Sequence, residues 1–150
     1  MRQSEVTIRV AAAALMGLSL VACTKEHRTA DAAATSAGPA TLSSMQTDIF
    51  ALSCAVSGCH DNRANPAGSL TMTSVQATYN GLVNRNSTEA TSLKLVVPAD
   101  PDHSYLVDKL TGTHLTVGGS GRRMPQDAAP LSADDVDRVV TWINNGAQLN

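Results

Sequence analysis

Cys54-Ala55-Val56-Ser57-Gly58-Cys59-His60 is the stretch on which the reading of this chain turns. It holds two of the three cysteines and one of the four histidines, and no other segment is equally equipped for chemistry. A cysteine pair closed by Cys-His reads as a site for covalent attachment of a c-type haem, for which the usual spacing is Cys-x-x-Cys-His. Two residues more than usual separate these thiols, with Ser57 and Gly58 among the four. Two other readings stay open on the residues alone. One is a structural disulfide closing a small loop. The other is zinc, which asks for four ligands around one tetrahedron; neighbouring Cys59 and His60 diverge too much to share one easily.

Composition bounds what surrounds this stretch. A chain of 150 residues has room for one domain of ordinary size. Its charged content of 16% and hydrophobic content of 43% are those of a globular protein. Phe50, Tyr79, Tyr105 and Trp142 are the whole aromatic set, so the core is thin. A large prosthetic group would supply the missing apolar mass. The formal net charge of −2 and the lack of a basic stripe give no electrostatic case for nucleic acid as a partner.

The N-terminus reads as a targeting signal over residues 1–22. Arg2 and Arg9 precede an apolar or small run from Val10 to Ala22, too short to span a bilayer comfortably. The run ends in Leu20-Val21-Ala22-Cys23, which resembles the lipobox of bacterial lipoproteins. That resemblance implies acylation of Cys23, membrane attachment through an N-terminal lipid anchor and a periplasmic location. Thr24, where inner-membrane lipoproteins carry Asp, favours the outer membrane. With Cys23 consumed by lipid, Cys54 and Cys59 remain to be explained as a pair. Residues 23–42 are small and polar without apolar periodicity, which predicts a flexible tether containing a solvated His27.

Residues 43–150 read as the folded domain. Ser43 or Ser44 offers a cap for a helix over 44–53, with Met45, Ile49 and Leu52 at helical spacing and Phe50 beside them. Ser74 caps a second helix, 75–83. Asp100-Pro101-Asp102 starts a third, whose buried face is Tyr105, Leu106 and Leu110. Ser132 caps a fourth, with Leu131 stapled against Val136. Val136, Val139, Val140 and Ile143 line its inner face, Trp142 lies at the edge and Gly146 ends it. The Gly-rich stretch 111–123 reads as a loop able to approach a ligand closely. The fold class is thus all-α: about four short helices with long loops, an arrangement that usually wraps something or carries a function.

A haem iron held by His60 needs a residue on its opposite face, commonly Met or His. Met124, after the Gly-rich loop and before Pro125, is the best placed; His114 is the alternative. His103 reads as a surface residue and Met72 as core filler. Arg122 and Arg123, beside Met124, either neutralise haem propionates or are solvated.

In this order the residues resemble small single-haem cytochrome c domains of bacterial exported proteins. The likeness runs from about Ile49 to Ala147. It is carried by a helix leading into Cys-x4-Cys-His, by Val97-Pro98-Ala99-Asp100-Pro101-Asp102-His103-Ser104-Tyr105-Leu106, and by Arg123-Met124-Pro125. Leu131-Ser132-Ala133-Asp134-Asp135 and Trp142-Ile143-Asn144-Asn145-Gly146-Ala147 complete it. The resemblance implies one covalent haem c, with Cys54 and Cys59 as thioether cysteines, His60 as proximal and Met124 as distal iron ligand. It implies crossed first and last helices that bring Phe50 near Trp142. It also implies an electron carrier without substrate chemistry of its own, exchanging electrons with another redox protein. The Cys-x4-Cys spacing departs from the family pattern. A haemless structural or interaction domain with a Cys54–Cys59 disulfide is the reading from another class. A sensor, in which Met124 leaves iron to admit a small ligand, is a third.

Overall fold

Thr41, not the expected Ser43 or Ser44, caps the first helix: its backbone is extended and its Oγ1 accepts from Ser44 N at 3.3 Å, so the helix begins at Leu42. The computed structural model describes residues 38–63 and 65–150. The expected signal peptide, Cys23 and most of the expected tether lie outside the described residues. Four helical runs are present, with no extended strands among the described residues. The first is composite: α1 (Leu42–Met45), a π-helical turn (Gln46–Phe50) and α2 (Ala51–Ser53) follow without interruption. Next come α3 (Val75–Leu82), α4 (Tyr105–Thr111) and α5 (Ala133–Asn144), with 3₁₀ turns at Ala67–Ser69 and Pro101–His103.

The π turn changes which residues the first helix buries. A regular α-helix would align Met45, Ile49 and Leu52. One extra residue in a turn rotates everything after it by roughly 100°. Phe50 therefore enters the core beside Ile49, while Leu52 is 69% exposed and the expectation of a buried Leu52 fails. The turn also buries Gln46, whose Nε2 donates to Met72 O at 2.8 Å and whose Oε1 accepts from Thr78 Oγ1 at 2.6 Å. These bonds connect the first helix to α3 and to the segment before it.

Caps at α3 and α5 are as the sequence reads. Ser74 Oγ accepts from Ala77 N at 3.2 Å and Ser132 Oγ from Asp135 N at 3.1 Å. Trp142 is fully buried at the centre of the inner face of α5 rather than at its edge, and its Nε1 donates to Gln148 O at 2.8 Å. Phe50 and Trp142 belong to one core cluster with Leu42, Met45, Leu82, Val96, Val139 and Ile143. The third helix is not continuous from Asp100. Ser104 breaks it in an extended conformation, donating from Oγ to Asp100 O at 2.7 Å and accepting from Val97 N at 2.9 Å. An isolated bridge pairs Ser104 with Lys94, which moves α4 onto the extended segment ahead of it.

Arg138 ties α5 to the first helix. Its residue is 6% exposed, and Nη2 reaches Asp48 Oδ2 at 2.7 Å, Ser44 Oγ at 2.8 Å and Pro39 O at 3.3 Å. Hydrogen bonds from Arg138, then Ser44, hold the Asp48 carboxyl below its usual range. Asn150 accepts from Ser43 N at 2.8 Å through its backbone carbonyl and from Leu42 N at 2.9 Å through Oδ1, so the last residue closes the first helix. Gln46→Ala strands the Met72 carbonyl and the Thr78 hydroxyl, and Arg138→Ala strips four acceptors of their donor, Asp135 Oδ1 at 3.4 Å among them. Each substitution is expected to cost about 2 kcal/mol in urea unfolding.

Candidate functional site

Phe50 O accepts from both Cys54 N at 3.0 Å and Ala55 N at 2.8 Å, which ends the first helix and releases the chain into an irregular loop. The loop is closed by backbone bonds. His60 N donates to Cys54 O at 3.0 Å, Ala67 N to Cys59 O at 3.1 Å, and Met72 N to His60 O at 2.8 Å. Cys54 is buried and Cys59 half-buried, and both are free thiols. Burial pushes the Cys54 thiol up to about 11, with repulsion from the Cys59 thiolate adding to it. Cys54 is therefore a neutral thiol at physiological pH.

His60 is fixed by its own loop. Nδ1 lies 3.0 Å from Ala67 O and 3.2 Å from Leu70 O. Both partners are carbonyl oxygens and can only accept, so Nδ1 carries the proton. The lone pair of the neutral ring is then on Nε2, the arrangement that a backbone carbonyl imposes on a metal-binding histidine.

Cys54, Cys59 and His60 line one cleft of about 720 Å³, within the size range of small-molecule and cofactor sites. Met124 lines the same cleft, more than sixty residues away in sequence, its N–H held by Lys109 O at 2.8 Å. Phe50, Leu70, Met72, Leu82, Leu95 and Leu106 contribute apolar surface. Leu52 and Val56, 69% and 39% exposed, give further apolar lining.

All four expected ligand residues thus meet. Other candidates do not. His114 is 4% exposed and outside the cleft lining, with Nε2 near Gly121 O at 3.2 Å and Nδ1 without a partner. His103 is at the surface, paired with Asp100 at 2.8 Å, and that carboxylate raises its pKa. Arg122 pairs with Asp127, and Arg123 donates to Met124 O and Ala128 O; neither lines the cleft. The Gly-rich loop likewise stays off the cleft wall and packs behind it. Gly119 sits against Tyr105, where a Cβ would collide with the phenol oxygen. Among the described residues no group of three or more His, Cys, Asp or Glu side chains is assembled to hold a metal ion.

One cluster on the cleft wall escapes the sequence reading. Glu89 Oε2 accepts from Lys109 Nζ at 2.7 Å and from Tyr105 Oη at 2.8 Å, and Lys109 also donates to Ser120 O at 3.2 Å. All three acidic, basic and phenolic side chains line the cleft, as does Arg85. The i, i+4 spacing of Tyr105 and Lys109 was the available signal; nothing local points to Glu89. Burial opposes ionisation of Glu89, but hydrogen bonds from Lys109 and Tyr105 outweigh it and lower its pKa. Burial, then the bond to Glu89, pushes Tyr105 up to about 12.

Comparison with protein-family models, with curated proteins and with solved structures finds no match for this chain.

Two measurements test the electrostatics. Protein treated with iodoacetamide at pH 8 is expected to alkylate at Cys59 well before Cys54. Equal rates would contradict the burial of Cys54. The folded Glu89 pKa lies below the ordinary 4.5, so its contribution is present above pH 4.5 and lost as pH falls through the lower folded value. Tyr105 acts in the opposite direction: its contribution is present below pH 10 and lost as pH rises towards 12. Urea midpoints across pH should fall on both flanks, and Glu89→Gln should flatten the acid one.

Proposed function

We propose that residues 43–150 form an electron-transfer module holding one covalent haem c, with Cys54 and Cys59 as its thioether cysteines and His60 and Met124 as axial ligands. The observation that carries this reading is the meeting of two thiols, a tautomer-fixed imidazole and a distant thioether sulfur on one apolar cleft. The core is small, and the apolar lining of the cleft beside it includes side chains left open to water. A flat apolar cofactor would cover Leu52 and Val56 and complete that core.

The donor set fits the group. His60 offers Nε2, and the carbonyls of Ala67 and Leu70 keep its proton on the other nitrogen. Met124 offers a soft, neutral sulfur. Cys54 and Cys59 supply the two thiols, and the raised Cys54 pKa keeps that one protonated until it is used. Bound in the cleft, haem supplies a one-electron iron couple, whose potential a His/Met ligand pair raises. The chain's own part is to hold the ligands still through electron gain and loss and to keep water from the iron. Phe50, Leu82, Leu106 and Leu110, which line the cleft, would do the latter. No general acid or base is assigned, since electron transfer needs none. The same reading takes the Cys23 thiol as lipidated, so that the module is anchored to the periplasmic side of the outer membrane and meets a redox protein partner there.

The test is expression of the full chain with cytochrome c maturation factors, followed by intact mass with and without reductant and by absorption spectra. The expected product carries one haem resistant to extraction, with a Soret band and a reduced α band. His60→Ala should lose or grossly alter the spectrum. Met124→Ala should keep the haem, lower the potential and admit carbon monoxide to the reduced protein. A colourless product with an intact Cys54–Cys59 disulfide would overturn the reading in favour of a haemless structural or interaction domain.

A further inference from the structure

Cys54 to His60 holds two residues more than the usual attachment motif, and the geometry points to Asp61 and Arg63 as positioning residues that fold this surplus out of the site. This role rests on the haem reading and adds to it the means by which a long loop keeps its thiols in place.

Backbone bonds mark where the surplus goes. Cys59 N donates to Val56 O at 3.0 Å, which closes a four-residue turn from Val56 to Cys59. Ser57 and Gly58 are its central pair, and Gly58 takes φ +91, a conformation costly for any residue with a Cβ. A tight turn returns the chain nearly to where it left, so Val56 and Cys59 come close together and the two central residues project outward. Ser57 and Gly58 are indeed exposed and absent from the cleft lining, while Cys54, Val56, Cys59 and His60 all line it. The short path is completed by His60 N donating to Cys54 O at 3.0 Å.

Such a turn needs something to hold it, because its central residues are exposed. Asp61 does this from the residue next to His60. Its Oδ2 accepts from Gly58 N at 3.1 Å, and its Oδ1 from Arg63 N at 3.2 Å. Arg63 Nε pairs with Oδ2 at 2.9 Å, and Nη2 reaches back to Ser57 Oγ at 2.6 Å. Each inserted residue thus has its own anchor: Gly58 through Asp61, Ser57 through Arg63. The Asp61 side chain is only 14% exposed, against 56% for Arg63, so the carboxylate is the better shielded half of the clamp.

The experiment compares the full chain with Asp61→Ala, Asp61→Asn, Arg63→Ala and a deletion of Ser57 and Gly58, all produced with maturation factors. The two-thioether fraction is read from the pyridine haemochrome α band and from the count of alkylatable thiols. Amide hydrogen exchange at Gly58 and His60 is read in the haem-free proteins. Asp61→Ala is expected to speed exchange at both amides about tenfold and to lower the two-thioether fraction, with Arg63→Ala doing the same more weakly. Asp61→Asn keeps an acceptor for Gly58 N and should restore most of the fraction. Once Ser57 and Gly58 are deleted, adding Asp61→Ala should change nothing further. Two results would overturn the role: a haem-loaded wild type whose attachment ignores Asp61, or an Asp61→Ala effect of equal size in the deletion background. A wild type that takes up no haem would instead remove the haem reading, and this role with it.

Discussion

His60 is tied through its backbone N–H, its backbone carbonyl and one ring nitrogen. Its N–H goes to Cys54 O, its carbonyl to Met72 N and its Nδ1 to the carbonyls of Ala67 and Leu70. The loop from Cys54 to Met72 has little regular structure, so its backbone groups have few helix or strand partners to satisfy them. One residue therefore joins the end of the first helix, the 3₁₀ turn at Ala67–Ser69 and the extended piece leading to α3. The same bonds leave Nε2 as the only nitrogen with a free lone pair. Loop closure and the choice of tautomer are one set of contacts.

Around that knot the domain is built from little apolar material. Phe50, Tyr105 and Trp142 are its only fully buried aromatics. Polar groups fill part of the interior and each is largely paired: Gln46 with Met72 and Thr78, Arg138 with Asp48 and Ser44, Lys109 with Glu89. Such pairings add specificity more than net stability, since desolvation offsets much of the attraction. They fix how the helices meet around the cleft. Under the haem reading, the cofactor is the largest single apolar body in the domain, and the cleft is the part of the core that the chain leaves to it.

Helices α3 and α5 were legible because their signals are local. Ser74 and Ser132 stand where a side-chain oxygen meets an amide three residues on, and a hydrophobic face at helical period follows each. Met124 was singled out for a different reason, its place between a Gly-rich stretch and a proline, and the structure puts it on the cleft wall. Ser57 and Gly58 stood out as a surplus, but not as a turn.

What local pattern determined about this protein is its all-α class and the caps of α3 and α5. Tertiary structure decided the rest. The π turn that sends Phe50 inward and Leu52 outward answers to Gln46 finding Met72 and Thr78, partners 26 and 32 residues away. The break at Ser104 answers to Lys94, and the choice of Met124 over His114 for the cleft wall answers to Lys109 O holding Met124 N. Glu89 joins Tyr105 and Lys109 across at least 16 residues. Periodicity and capping act over a few residues, whereas register, cleft lining and tautomer depend on hydrogen bonds between segments that meet only when the chain has folded.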